Sequence, residues 1–432
     1  KNTLKLSIIC CGLLFSCGSY KKTAQFDKSL YDDESSESLA NEDTKADDTF
    51  SQNLILKNTL QYENAIYEPS IKSVQLHPLR FELGNPIIHL SFKDSLLLSF
   101  DDLSNDPQNY AYSLIHCDAD WTPSDLMESE YLEGFYEEPI KDYQFSFNTT
   151  QNYIHYQTII PSANLKPTIS GNYLLIVFVE NQRDQTILSQ RMMIIDEKVS
   201  VKGSVKRATD LEQRNYQHEI DFSINHSGYE IDNPFSEIIP VITQNSRWDN
   251  AISGLQAVFV KEDKIVYDYE DENLFDGGNE YRFFDMQSLR YLSERLADIR
   301  FESDTHKVVL KIDESRRFQR YSGLAQDING KRLIRVQEGS RNSIEADYAL
   351  VQFTLPYDYE ISHGDIYVFG QISNYGFPDS HRMTYNAKKQ HYEANVYLKQ
   401  GYYNYEYVLK KYEGGTINRF IEGTHYQTVN DY

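Results

Sequence analysis

The sequence predicts an all-β protein: tandem immunoglobulin-like β-sandwiches behind a disordered N-terminal tether. Three observations predict it. The chain carries 34 Tyr beside 12 Pro, 5 Met and 2 Trp, and Tyr favours the half-buried pleated surface of a strand. Apolar and aromatic segments of five to ten residues recur between turn residues, which is the pattern of a sandwich rather than of βαβ units. Hydrophobic residues make up 40% and charged residues 25% of the 432-residue chain, a globular composition that is too apolar for wholesale disorder. The net charge of −23 excludes general nucleic-acid binding, which needs a cationic footprint. It also excludes polybasic docking on anionic lipid.

The chain begins with Lys1 and Lys5 around an apolar run over 6–15. A charged region followed by a short apolar region reads as a secretory signal over 1–16. The run is too short for a membrane span, which takes about 20 residues. Its end, Leu14-Phe15-Ser16-Cys17, resembles a bacterial lipobox: an aliphatic residue, a small residue, then Cys, with Phe15 as a departure in between. The resemblance implies cleavage before Cys17 and lipidation of its thiol, hence a membrane contact through a lipid anchor. Cys10 and Cys11 leave with the leader, so Cys117 remains as the one thiol and no internal disulfide forms. Residues 17–65 form the tether. Asp32, Asp33, Glu34, Glu37, Glu42, Asp43, Asp47 and Asp48 crowd it, so burial cannot offset its ordering entropy and self-repulsion extends it.

The first β-sandwich is expected over 66–197, with strands over 87–92, 96–100, 110–117, 143–147, 153–160, 173–180 and 187–195. A middle β-rich domain is expected over 198–343. Its strands are 219–224, 238–243, 256–260 and 264–269, and Lys261-Glu262-Asp263 is a hairpin loop. The stretch 281–284 and residues 308–312 are strand-like. Between them Leu289, Leu292, Leu296 and Ile299 fit a helical stripe. Asn329-Gly330 reads as a turn, with a returning strand over 332–336.

The third unit is expected over 344–432. Its strands are 349–355, 366–371, 383–385, 392–398 and 402–409. Alternation puts Tyr403, Tyr405, Tyr407 and Leu409 on one face of the last and Asn404 and Glu406 on the other. The pattern breaks off at Asp431-Tyr432, where a further strand is expected to begin. The segments Ile366-Tyr367-Val368-Phe369-Gly370-Gln371-Ile372-Ser373-Asn374-Tyr375 and Gly401-Tyr402-Tyr403-Asn404-Tyr405-Glu406-Tyr407-Val408 resemble the early-set sandwich of glycogen-binding modules. That implies an alternative function, an outer-membrane glycan-binding lipoprotein, with Tyr375 as the stacking residue. The unit has no Trp, although sugar stacking needs a wide exposed ring.

No nucleotide, metalloprotease or serine-hydrolase motif is present. The 65 acidic residues offer chance carboxylate pairs but none at a motif spacing. No catalytic residue, cofactor, metal or small-molecule substrate is therefore expected. His116, Asp118 and Asp120 would share one strand face and could present imidazole and carboxylates to a metal. Three ligands from one strand converge poorly, however. The favoured reading is a strand whose other face buries Cys117 and Trp121. Tyr131, Phe135 and Tyr136 form an aromatic segment that reads either as a partner contact or as a loop packed on its own sandwich. Trp248, between Arg247 and Asp249, invites the same two readings.

The run His116-Cys117-Asp118-Ala119-Asp120-Trp121-Thr122-Pro123-Ser124, followed by Ser129-Glu130-Tyr131-Leu132-Glu133-Gly134, resembles the type 9 secretion system plug protein family of Bacteroidetes. Weaker matches follow the family's order: His77-Pro78-Leu79, Tyr281-Arg282-Phe283-Phe284-Asp285, Asp327-Ile328-Asn329-Gly330 and Glu422-Gly423-Thr424. The resemblance covers most of 66–432. It implies a non-enzymatic, exported subunit on the periplasmic side of the outer membrane. Its implied partner is the large β-barrel translocon of that system, whose periplasmic opening it closes.

Overall fold

The computed structural model describes residues 60–104, 106–319 and 327–432. The signal segment, Cys17 and residues 17–59 of the tether lie outside the described residues. Within them the elements of more than one turn are strands, and the α-helices, such as Glu128–Tyr131 and Asn342–Glu345, are single turns.

The first unit is two facing sheets. One orders Ala65–Ile66, Gln182–Ile195, Gly171–Val179, Tyr110–Cys117 and Glu138–Ile140, with Ile87–His89 pairing parallel to the second of these. The other orders Ile71–Pro78, Leu96–Asp102, Ile154–Ile160 and Asp142–Phe145. Leu98, Phe100, Tyr112, Leu114, Tyr156, Tyr173 and Val177 fill the space between. The Leu174-Leu175-Ile176-Val177-Phe178 run does not alternate with polar residues because its sheet is covered twice. Its outer face buries Ala111, Cys117, Leu174, Ile176 and Phe178 under Trp121, Leu60, Tyr62 and Trp248. This corrects the end of the expected tether. Leu60 and Tyr62 pack on the sandwich, and Ala65 and Ile66 pair with Ser189 and Leu188.

The middle unit is smaller. Ser200–Arg207, Gln217–Asn225, Lys264–Tyr267 and Phe259–Lys261 form its main sheet, and Leu274–Asp276 pairs with the second strand. Lys261 faces Lys264 across the expected hairpin. Val241–Gln244 and Arg247–Ser253 form a separate ribbon. The core is seven buried side chains centred on Ile265, Tyr267 and Phe275, and Tyr432 from the chain end packs against it.

The third unit has two five-stranded sheets. The strand Gly401–Lys411 pairs with Arg282–Asp285, Arg332–Ile334, Gly364–Phe369 and Thr416–Ile417. The facing sheet orders Leu296–Glu302, Thr305–Leu310, Tyr348–Pro356, His391–Lys399 and Thr384–Asn386. Strands between 282 and 334 thus hydrogen-bond into the sheets of the last segment, so the expected division after 343 runs through these sheets rather than between them. The leucine stripe at 289–299 forms no helix. Leu296 begins a strand whose pairing with Leu310 outweighs a weak local periodicity. Tyr403, Tyr405, Tyr407 and Leu409 do share the core face. Asn404 and Glu406, on the opposite face, are buried as well, Glu406 for a reason that lies in the joint to the middle unit.

Candidate functional site

Polar side chains bolt the units together. Between the first and third, Asp101 is fully buried and accepts from Lys399 Nζ at 2.5 Å, Tyr348 Oη at 2.7 Å and His155 Nδ1 at 2.7 Å. Burial alone would raise its pKa, but Lys399 and His155 outweigh that and hold the carboxyl below its ordinary range. The Asp347 carboxylate accepts the Thr150 and Gln151 amides at 2.7 and 3.1 Å. Tyr153 Oη donates to the Ala346 carbonyl at 2.8 Å. Between the middle and third units, the buried Arg247 guanidinium holds Glu406 at 2.7 Å and lies 4.6 Å over the Phe369 ring. Asn404, by contrast, accepts the Ile328 amide at 2.6 Å within the third unit itself. Glu406, on the face of the 401–411 strand away from the core, is therefore a joint residue, whereas Asn404 is buried under the 328–331 loop of its own unit.

The 116–124 motif makes the joint between the first and middle units. The strand ends at Cys117, so His116, Asp118 and Asp120 do not form one face. Asp118 N binds Thr122 O at 2.8 Å and Trp121 N binds Asp118 O at 3.0 Å, closing a tight turn. Asp120 caps it by accepting from the Thr122 amide at 2.9 Å. Trp121 takes φ 68°, a conformation uncommon for a bulky residue. That turn drops the indole onto the outer sheet face, edge-on to Trp248 at 5.0 Å, with Arg191 4.6 Å above it. Trp248 is thus an internal contact. His116 turns into the first core, bonded to Ser124 Oγ at 2.8 Å and edge-on to Tyr173. Burial raises the Cys117 thiol to about 11, which leaves it unreactive.

The aromatic segment divides. Tyr131 is only 4% exposed and packs in the first core beside Tyr173, which removes it as a partner contact. Phe135 and Tyr136 are 65% and 42% exposed. Their backbone is fixed, since Phe135 N binds Asn164 O and Tyr136 O accepts from Ser113 Oγ, each at 2.7 Å. They open a ribbon over 135–147 whose second half is the strand expected at 143–147. Tyr143, Phe145 and Phe147 are 45%, 58% and 51% exposed, and Asp142–Phe145 is a sheet edge. Tyr143 and Phe145 touch edge-on at 6.1 Å. Between 135 and 147 five aromatic residues are thus exposed along the edges of the two facing sheets, a composition suited to protein contact. Alternation at 143, 145 and 147 is the signal that could have found the second half.

Other chemistry is accounted for within the fold. Glu219, Asp221 and Asp268 come within metal-binding reach of one another, but the Lys206 ammonium lies 2.9, 2.7 and 3.8 Å from them and occupies the place a cation would take. Tyr375 packs edge-on to Phe369 with its hydroxyl buried, so it offers no open stacking platform for a sugar. No helix among the described residues is long and apolar enough to cross a membrane.

Residues 71–196 match the model for the type 9 secretion system plug protein 1st domain. No curated protein matches the chain. The crystal structure of a hypothetical protein from Parabacteroides merdae is 31% identical with a TM-score of 0.83, covering 86% of this chain and 94% of that one. The agreement thus extends through all three units, and the family match falls on the sandwich that carries the aromatic ribbon. The chain belongs to the type 9 secretion system plug protein family, and with it to the secretion apparatus of the cell envelope.

Proposed function

We propose that this protein is a non-enzymatic subunit that binds the outer-membrane translocon barrel of the type 9 system and seals its periplasmic opening. The family match over 71–196 carries the reading. Two features of the fold support it. A stopper must keep its shape against a pore, and buried polar bolts join the three units. It must also dock and release, and the 135–147 ribbon offers exposed rings beside Glu137, Glu138 and Asp142, an apolar contact with a polar rim. Buried area alone does not fix affinity, so such a contact can be specific and reversible. Attachment through a lipid on Cys17 would hold the protein on the periplasmic side of the outer membrane, with 18–59 as reach.

Affinity purification of the tagged chain from solubilised membranes tests the reading. The expected result is co-recovery of a very large outer-membrane β-barrel. Clean recovery of the tagged chain without any such barrel contradicts it. Fractionation of a Cys17→Ala variant tests the anchor separately, with release from the membrane fraction expected.

A further inference from the structure

A cavity of about 930 Å³ opens where the three units meet. Segments 61–74 of the first unit, 246–249 of the middle unit and 372–381 and 396–403 of the third form its walls. Its most unusual wall residue is Arg332. The side chain is 5% exposed, yet it forms no ion pair among the described residues. One guanidinium nitrogen donates to the Val74 carbonyl at 2.6 Å, and Nε has no partner. The Tyr375 hydroxyl, in the same wall, is also buried without a partner. Lys72 is half-buried there and has no ion-pair or hydrogen-bond partner for its ammonium among the described residues.

Arg332, Lys72 and His381 line the same cavity. His381 is bonded through both ring nitrogens, to Ser380 Oγ at 3.0 Å and the Ile372 carbonyl at 3.1 Å. Burial lowers its pKa to about 4, and the charges of Arg332 and Lys72 push it the same way. Of the other wall cations, Lys399 is spent on Asp101, while Arg191 and Lys410 lie over aromatic rings. Of the wall acids, Asp249 is held by Arg247, and Glu63, Glu68 and Asp379 are exposed. The Asp101 charge is felt by Arg332 but is bonded to Lys399 and His155 instead; a buried guanidinium without an ion-pair partner is strongly unfavourable, and unmet buried donors are rare in native folds.

We propose that this three-way cavity is an oxyanion site. It takes a small carboxylate or phosphate whose oxygens accept from Arg332, Lys72 and the Tyr375 hydroxyl. Such geometry suits Arg, whose planar fork matches either anion. Because every unit contributes a wall, an occupant would also hold the three units in register. The inference does not depend on translocon binding, since it concerns the chain alone.

Thermal unfolding of the full chain tests it, in chloride, inorganic phosphate and citrate at matched ionic strength. The expected result is a rise in Tm that saturates with anion concentration, by linkage. The phosphate and citrate arms show which chemistry is preferred. General salting-out also raises Tm but does not saturate. Lys72→Gln is expected to weaken the apparent affinity at least about tenfold. Arg332→Gln is expected to abolish saturation, and if it fails to fold, Lys72→Gln decides alone. The proposal is overturned by a Tm that rises without saturation or equals that in chloride, or by a saturating shift unchanged in Lys72→Gln.

Discussion

Glu406 and Glu422 sit within one polar cluster and titrate in opposite directions. Burial pushes Glu406 from an ordinary value of 4.5 up to about 7, with Arg247 opposing and Glu422 and Asp249 adding repulsion. Burial would raise Glu422 too, but Arg282 and Arg316 overcome it and hold the carboxyl down at about 2. The signs differ accordingly. A carboxyl raised in the folded state contributes stability below its ordinary pKa and loses it as pH rises through the folded value. Glu406 therefore costs stability between pH 4.5 and 7. Glu422 contributes stability above 4.5 and loses it as pH falls toward 2. Glu406→Gln is expected to flatten the loss between pH 4.5 and 7, which in the wild type is at most about 1.4 kcal/mol per pH unit. Urea titrations across that window check it. An unchanged pH slope in the variant would sink the assignment. Glu422→Gln takes the ion-pair partner from Arg316 and leaves Arg282 only Asp313, so it is expected to destabilise by about 3–5 kcal/mol at pH 7.

Strands were legible where the local pattern and the tertiary pairing agreed. The 110–117 segment was read to its ends because both of its faces are buried and few polar residues interrupt it. The strand Ile71–Pro78 was not read. Ser73 takes φ 52° and the register slips between Lys72 and Gln75, so a bulge breaks the two-residue alternation on which such a reading depends. The 289–299 stripe misled in the opposite way, because four aliphatic residues at helical spacing belong partly to a loop and partly to a strand. Site residues were harder still. Tyr131 and Phe135 look alike in sequence, and only the core packing of the first unit separates a buried ring from an exposed one. Trp121 and Trp248 lie far apart in the chain, so their contact had no local signature. The ribbon carries its own prediction. Phe145→Asp on the exposed edge is expected to change stability by no more than about 0.5 kcal/mol while abolishing recovery of the barrel. Undiminished recovery of the barrel by the folded variant would separate the ribbon from docking.

At the scale of the molecule, the joints decide how the three units behave. Interfaces between domains usually permit motion, but here Asp101, Arg247 and Trp121 place fully or largely buried side chains across all of the boundaries. The chain end adds another stitch, with Tyr432 Oη on His218 Nδ1 at 2.5 Å and the Asp431 amide on Asn245 at 2.9 Å. Calorimetry of residues 60–432 is therefore expected to give one cooperative transition. Asp101→Asn should lower that single transition by about 3–5 kcal/mol, because it leaves the Lys399 charge buried without a partner. Two or three separate transitions in the wild type would contradict a single rigid body.

Sealing is the central claim, and outer-membrane permeability measures it most directly. Cells lacking this protein but retaining the translocon should admit a large, normally excluded antibiotic. Cells lacking both, or complemented with the wild-type chain, should not. Equal exclusion by all three strains, with the translocon shown to be present and assembled, would contradict the account.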